Sequence, residues 1–385
     1  MRIAADARTI FDEQLRGIGK STIELYRALA VIRPDWQFFL FHAEAAKHEP
    51  FAGLLNVHVC RVTIPGDRFE LWPRLRLPWA VRSVRADVFH SPSGLAPWWL
   101  PAPLVVTVHD LIPWETGRTD APAVAWMANV KRSLRRARNV LTDSDYTRTR
   151  IASFCGRTEN VHVVPLAAIA APAIPPTAER RRELTARFHL DSGPLGYVLH
   201  YGMADPRKGT AILLQAWAKL SSELRAGYAL RIVGLSATGR ADFEGQARKA
   251  DQRGKNAFGD VRCFEYVAED DARDLLAGAA VLAYPTSLEG FGLPLLDGFA
   301  AGVPVLSGNR TSIPEVAGDA ALLVDPTDPQ AVANGLASLL SSQLLRAEYA
   351  AKGMQQLTRF SWAQTAKLNA EVMQWNSPAP SRDER

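Results

Sequence analysis

The three cysteines, Cys60, Cys155 and Cys263, form no CxxC pair. That excludes a disulfide scaffold and a zinc ribbon, and it fits small buried thiols in a reducing compartment. There is also no apolar segment suited to crossing a membrane. The longest uncharged run, SPSGLAPWWLPAPLVVTVH at 91–109, is interrupted by Pro92, Pro97, Pro101 and Pro103, whereas a span needs about 20 apolar residues in a helix. The first residues, MRIAADAR, carry Arg2, Asp6 and Arg8 where a secretory signal would place its apolar core. No cluster of His, Cys, Asp and Glu has metal-ligand spacing. The expectation is a cytoplasmic protein with no metal and no cofactor.

What is present is an alternation of strand and helix. The chain has 385 residues, which suits two domains of roughly 150–200 residues better than one core. Short apolar strands read at 2–7, 36–42, 57–62, 87–92, 104–110, 139–144 and 161–166, with helices at 21–32 and 121–137 between them. AAIAAPAIPPT at 167–177 is rich in Ala and Pro and free of charge, which reads as a connection. The alternation restarts with strands at 197–202, 228–234, 261–267, 281–286, 303–308 and 320–325. The expected fold class is therefore α/β, with two doubly wound parallel sheets in series. The boundaries read as 1–170, a linker at 171–178, a second domain at 179–360, a final helix at 361–375 and a disordered tail at 376–385. Ligands of such sheets sit at the carboxyl ends of the strands.

The net charge is +5, and its distribution is uneven. Arg61, Arg68, Arg74, Arg76, Arg82 and Arg85 are interleaved with Trp72, Pro73, Leu75, Leu77 and Trp79, and KRSLRRAR follows at 131–138. Solvated helix faces account for this pattern, and so does peripheral attraction to an anionic membrane through Arg61–Arg85. No RNA- or DNA-binding motif accompanies the charge, so nucleic acid is not expected.

The most informative stretch is SLEGFGLPLLDGFAAGVPVL at 287–306. Glu289 opens a Gly-Phe-Gly turn at the end of the strand VLAYPT, and Asp297 follows eight residues later. Pro294 suits the start of a helix, whose free amides and positive end would face the turn. An anion such as a diphosphate fits that helix mouth. Carboxylates there would repel it, so they are better suited to accepting hydrogen bonds from sugar hydroxyls.

This pattern resembles the E-x7-E signature of retaining glycosyltransferases of the GT4 type, and the likeness includes SIPEVAGDAALLVDPTD (312–328), GMADPRKG (202–209) and RGIGKSTIELYRAL (16–29). The resemblance implies the GT-B fold, two Rossmann-like domains facing each other across a cleft that closes on the substrates. It implies that Glu289 and His109, the latter in LVVTVHD, face the transferred sugar. It implies that Lys208 serves the diphosphate, that the amides of Phe291, Gly292 and Leu293 face both the transferred sugar and the diphosphate, that Asp297 takes the ribose, and that the turn at Val267 takes the base. Gly17 and Gly19 would also approach the diphosphate. Two departures stand out: Asp297 replaces the usual glutamate, and Met203 occupies the place where relatives carry an arginine, which leaves Arg207 as the nearest substitute.

The same resemblance points to bacterial members that build surface polysaccharides, many of them mannosyltransferases. GDP-mannose is the first expectation for the donor and a polysaccharide precursor or lipid-linked glycan for the acceptor. A UDP-sugar is the alternative donor, and a binding subunit without turnover is the alternative class. GIGKST at 17–22 is not a P-loop, because that pattern needs glycine where Gln14 stands. Asp143-Ser144-Asp145 looks like a metal-binding DxD but precedes a helix, and it reads as a cap. A glycoside hydrolase could also use paired carboxylates, yet it would leave Lys208 and the glycines without a role.

Overall fold

The computed structural model describes residues 1–11, 15–43, 49–63, 75–169, 176–203, 205–251 and 261–375, with the backbone alone for 248–251. Gln14, residues 171–175 of the linker, the tail 376–385, and Arg68, Trp72, Pro73 and Arg74 of the basic segment lie outside them. The chain divides into two compact units, Met1–Ile169 with Phe360–Arg385, and Ala170–Arg359.

The first unit is built on seven parallel strands: β1 (Arg2–Asp6), β2 (Gln37–His42), β3 (Val57–Arg61), β4 (Val88–Ser91), β5 (Leu104–Thr107), β6 (Asn139–Thr142) and β7 (Val161–Val163). Their order is β3-β2-β1-β4-β5-β6-β7. The second unit holds β8 (Gly196–Tyr201), β9 (Tyr228–Leu235), β10 (Val261–Glu265), β11 (Val281–Tyr284), β12 (Val305–Gly308) and β13 (Ala321–Val324). Their order is β10-β9-β8-β11-β12-β13, again parallel throughout. Both sheets reverse their winding once, between β1 and β4 and between β8 and β11. The loops after those strands flank a crevice at each switch point.

Central strands such as LVVT and VLAY are buried along their whole length, as expected of parallel sheets covered on both faces. Alternate residues of β1 serve opposite faces: Ile3 and Ala5 join one core cluster and Ala4 the other. The helix Trp362–Gln374 contributes Ala366, Ala370 and Met373 to the same cluster as Ile23, Tyr26 and Leu29 of the helix Gly17–Ile32. Trp362 Nε1 donates to the Ala168 carbonyl at 2.9 Å and Thr365 Oγ1 to that of Pro165 at 2.7 Å. Among the described residues no helix is long and apolar enough to cross a membrane.

One boundary differs from the reading of the sequence. The helix expected from Ser21 starts at Gly17, so Gly17 and Gly19 are not in a loop but in its first turn. Glycine is a poor helix former, which is why the sequence suggested otherwise. Gly19 is needed for packing: a Cβ there would stand 2.2 Å from the Thr9 carbonyl oxygen.

Candidate active site

In the second unit, β8 and β11 pair directly, with Val198 opposite Val281 and Leu199 opposite Leu282. The loops that leave their carboxyl ends are therefore neighbours. After β8, Asp205 accepts from the Arg207 amide and starts a 3-10 turn, Pro206–Lys208, which presents Arg207 and Lys208. After β11, residues 285–292 lead into the helix Leu293–Ala300. The Arg207 carbonyl joins the two loops, accepting from the Ser287 amide at 2.8 Å and from Thr286 Oγ1 at 3.1 Å.

Gly209 makes this close approach possible. Its φ is +75°, and a Cβ would lie 2.1 Å from the Pro285 carbonyl oxygen. Gly209→Ala is expected to destabilise the unit by roughly 1–3 kcal/mol through left-handed backbone strain, with about as much again from the overlap. Gly302→Ala is the control, because Gly302 has φ +66° with open space around it. Urea unfolding should show the larger loss at Gly209; equal losses would refute the packing explanation.

Glu289 is the centre of the site. Its Oε1 accepts from Tyr284 Oη at 2.5 Å, Lys208 Nζ at 2.6 Å, Thr286 Oγ1 at 2.9 Å and Arg207 Nη1 at 3.3 Å. Among the described residues no donor reaches Oε2, which leaves that oxygen for a ligand. Burial by itself would raise the carboxyl pKa, but the charges of Lys208 and Arg207 and the hydrogen bonds outweigh it and hold the group below its usual range. The Tyr284 phenol moves the opposite way, raised well above its usual value by burial and by the neighbouring carboxylate. Arg207 is shared, since its Nε also donates to Asp205 Oδ2 at 2.7 Å. Lys208 Nζ donates a second hydrogen bond to Tyr284 Oη at 2.7 Å. An ammonium has three N–H donors, so one remains for a ligand.

The turn is braced from beyond β12. Thr311 Oγ1 accepts from the Glu289 amide at 3.1 Å, and Ser312 Oγ donates to the Glu289 and Phe291 carbonyls at 2.9 and 3.1 Å. Gly292 caps the helix Leu293–Ala300 with φ +104° and offers no side-chain acceptor, so the Leu293 amide faces the turn without a side-chain cap. Pro294 lies in the first helical turn. Asp297, half-buried one turn further on, is close enough to the Tyr201 phenol to add to the effect of burial in raising its pKa. Val267 is buried just past β10, and Met203 is 39% exposed just past β8.

The first unit carries a second group of residues. His109 follows β5 and Asp143 follows the adjacent β6, and His109 Nδ1 donates to Asp143 Oδ2 at 2.6 Å. Nε2 donates to the Pro92 carbonyl at 2.9 Å. Both partners are acceptors, so the imidazolium satisfies both contacts. Burial lowers the pKa, but Asp143, Asp110 and the Pro92 carbonyl raise it further, and the net shift is upward. Both ring nitrogens are thus engaged by protein acceptors. A cavity of about 20 Å³ beside it is lined by Ser21, Thr22, His90, Thr365 and Asn369 among others. Gly17, exposed in the first turn of its helix, has no side-chain cap above it.

Sequence reasoning missed Tyr284, Thr286, Thr311, Ser312 and Asp143. The DxD look-alike is split in role: Ser144 caps the helix Asp145–Cys155 by accepting from the Thr147 amide, as the capping reading expected, while Asp143 instead holds His109. Among the described residues no group of three or more His, Cys, Asp or Glu could hold a metal ion.

Comparison with known proteins places both units. Residues 15–168 match the family described as Glycosyltransferase Family 4, and residues 185–356 match Glycosyl transferases group 1. The chain is 30% identical over 376 residues to the O-antigen chain mannosyltransferase B of Escherichia coli, covering 92% of this chain and 96% of that one. It is 31% identical over 199 residues to a D-inositol 3-phosphate glycosyltransferase of Nocardioides, covering 49% of this chain and 43% of the other. Among solved structures, HepE of Anabaena in complex with UDP and glucose superposes with a TM-score of 0.72 at 19% identity, over 97% of this chain and 100% of that one. WaaG, a glycosyltransferase involved in lipopolysaccharide biosynthesis, gives 0.73 at 15% identity over 97% and 99%. At these identities the structural likeness carries the fold.

Proposed function

The chain belongs to the family 4 glycosyltransferases and has their GT-B fold, and on that premise we propose that it is a retaining, metal-independent mannosyltransferase using GDP-mannose. The observation that carries the reading is the convergence of Lys208, Tyr284 and Thr286 on Glu289 Oε1, beside an uncapped helix N-terminus. The third N–H of Lys208 and the Leu293 amide, with those of Phe291 and Gly292, hold the diphosphate, and the free Oε2 of Glu289 accepts from a hydroxyl of the sugar. Asp297 takes the ribose and Val267 borders the base. The C1–O bond to the diphosphate breaks, and charge gathers on the leaving oxygen, where fixed donors stabilise it. That oxygen receives the proton of the acceptor hydroxyl on the same face of the sugar, which retains the configuration without a covalent intermediate. The first unit brings the acceptor, a polysaccharide precursor or lipid-linked glycan, with His109 assigned to the transferred sugar and the exposed Gly17 turn to the diphosphate. The mannose assignment is supported by the relative that matches nearly the whole chain.

Calorimetry with GDP-mannose, UDP-glucose, UDP-galactose and UDP-N-acetylglucosamine tests this. GDP-mannose is expected to bind most tightly and to be hydrolysed slowly, with hydrolysis lost in Glu289→Ala. Preference for a UDP-sugar would correct the donor, binding without turnover even with glycan acceptors would favour a binding subunit, and no binding by any donor would sink the reading. Tyr284→Phe is expected to lower kcat about 10–100-fold with little change in donor affinity. It removes one hydrogen bond to a charged group, about 1.5–3 kcal/mol, while Lys208 and Thr286 still hold Glu289. An unchanged kcat would show that Tyr284 does not position the carboxylate.

A further inference from the structure

The carboxyl ends of β5 and β6 hold a second buried carboxylate, which the sugar-transfer reading does not use. β5 continues past His109 and Asp110 into the helix Ile112–Glu115, where Asp110 Oδ1 accepts from the Ile112 amide at 3.1 Å. β6 pairs with β5 and continues past Asp143 into the helix Asp145–Cys155. Thr147 Oγ1 on that helix donates to the His109 carbonyl at 3.3 Å. The two loops also meet at Glu115. Its Oε1 accepts from Tyr146 Oη and from Arg150 Nε, the latter at 2.8 Å, and its side chain is 7% exposed. Burial and the neighbouring carboxylate raise the Tyr146 pKa, so the phenol stays protonated and donates. The Arg150 guanidinium lies 4.7 Å over the Trp114 ring, and Trp114 meets Phe154 edge to face at 5.4 Å. The pair is therefore held in place by groups on both loops.

An arginine and a carboxylate commonly close on each other with two parallel hydrogen bonds. Here only Nε is engaged. Among the described residues neither Nη of Arg150 nor Oε2 of Glu115 has a partner. A buried carboxylate is stable when its oxygens are hydrogen-bonded, so Oε2 lacks a donor that a ligand can supply. Glu289 in the second unit has the same form, with a tyrosine and two cations on Oε1 and Oε2 left over. Open N–H donors beside an open acceptor suit a sugar, because each hydroxyl both donates and accepts. Two neighbouring hydroxyls can span Oε2 and the Nη groups. An anionic ligand would be repelled by Glu115 and a cationic one by Arg150. Resting on the reading that the first unit brings the acceptor, we propose that Glu115 and Arg150 form a subsite for two neighbouring hydroxyls of the acceptor glycan, with Tyr146 fixing the carboxylate.

The test is initial rates of the full chain with the methyl α-glycosides of mannose, glucose, galactose and N-acetylglucosamine as acceptors, with donor binding followed separately by calorimetry. The wild type should transfer to at least one of them. Glu115→Gln keeps an oxygen for Tyr146 and Arg150 but puts an amide nitrogen where Oε2 stood. It should raise the acceptor KM about 10–100-fold, the loss of one hydrogen bond to a charged group. Arg150→Lys keeps the charge and gives up the fork, and it should raise that KM about tenfold. Donor affinity should be unchanged in both, which also shows that they are folded. Monodeoxy forms of the accepted glycoside locate the contact. Removing one of two adjacent hydroxyls should cost the wild type about tenfold in KM and cost Glu115→Gln nothing. If the pair only braces the two loops, both variants lose stability to urea while the acceptor KM and the deoxy pattern stay as in the wild type, and the proposal is overturned. A wild type that binds donor but transfers to none of the glycosides would also overturn it. Failure to bind any donor would instead bring down the donor reading, and this subsite with it.

Discussion

Replacing Glu289 with glutamine is expected to reduce sugar transfer by about 10²–10³-fold or more and to destabilise the second unit. The two effects have different causes. Lys208 and Arg207 have side chains only 13% and 15% exposed, and their common carboxylate is 11% exposed. Removing one partner of a buried pair leaves an uncompensated charge, which costs roughly 3–5 kcal/mol. The catalytic loss arises because the sugar ring gains positive charge as its bond to the leaving group breaks, and a neutral amide cannot stabilise it. Lys208→Met should also destabilise, from the other side of the pair. The double variant Glu289→Gln/Lys208→Met should be more stable than the sum of the two losses implies, because the pair leaves together, yet it should remain inactive. Urea unfolding and initial rates on the same three proteins separate the contributions. Strictly additive stability losses would show that the 2.6 Å contact between Lys208 and Glu289 carries no energy, and near wild-type transfer by Glu289→Gln would remove it from the chemistry.

The glycine turn and its acid were legible because they stand at the end of an apolar strand, and strand ends in parallel sheets are where ligands bind. The partner of that acid was not. Lys208 lies 81 residues upstream of Glu289, and only the pairing of β8 with β11 brings the two loops together. From the sequence, Lys208 was expected on the diphosphate and Glu289 on the sugar, as separate contacts. The structure joins them on Oε1, which makes each responsible for the other's position. Tyr284 stands in the sequence as the last residue of a buried strand, where an aromatic needs no further reason. Its hydroxyl, aimed at the carboxylate, has no local signature. Asp143 was obscured differently, by a neighbour whose role is plain. Ser144 caps a helix, and the capping reading absorbed the acid beside it.

Helices at Ala237–Asp251, Pro329–Ser341 and Gln343–Leu357 also went unread. Each is rich in alanine, glutamine or glycine, and the apolar stripe that marks a helix is weak in the first and last of them. The glycines of GIGKST misled in the opposite sense, since their low helix propensity hid a helix whose first turn needs a missing side chain against Thr9.

Acid should destabilise both units well above the range where carboxylates titrate. Each unit has a buried histidine whose pKa lies well below its usual value. His90 lies between Tyr26 Oη at 2.9 Å and Thr107 Oγ1 at 2.8 Å, and burial together with the charge of His109 pushes its pKa down to about 3. His200 lies between the Ala283 carbonyl at 2.8 Å and Thr210 Oγ1 at 2.9 Å, and burial, with a smaller effect from Lys208, brings it to about 4. Both values are below the ordinary 6.5, so the unfolded chain binds more protons than the folded one as pH falls. The contribution of each is full above 6.5 and is lost downward from there, at about 1.4 kcal/mol per pH unit. His109 has the opposite sign: its raised pKa gives stability that is complete below 6.5 and declines at higher pH. Glu289, whose pKa is lowered from 4.5, contributes its full stability above that value and loses it only as the pH falls further. His162 shifts with His90 but is partly open to solvent, so its share is smaller. Between pH 6.5 and 4.5, His90 and His200 therefore dominate. Urea unfolding at several pH values in that window should show stability falling with pH, and His90→Gln and His200→Gln should each flatten the slope in the unit that carries the change. Stability that holds constant from pH 7 to 5, or slopes untouched by both substitutions, would mean that these imidazoles take up protons while folded.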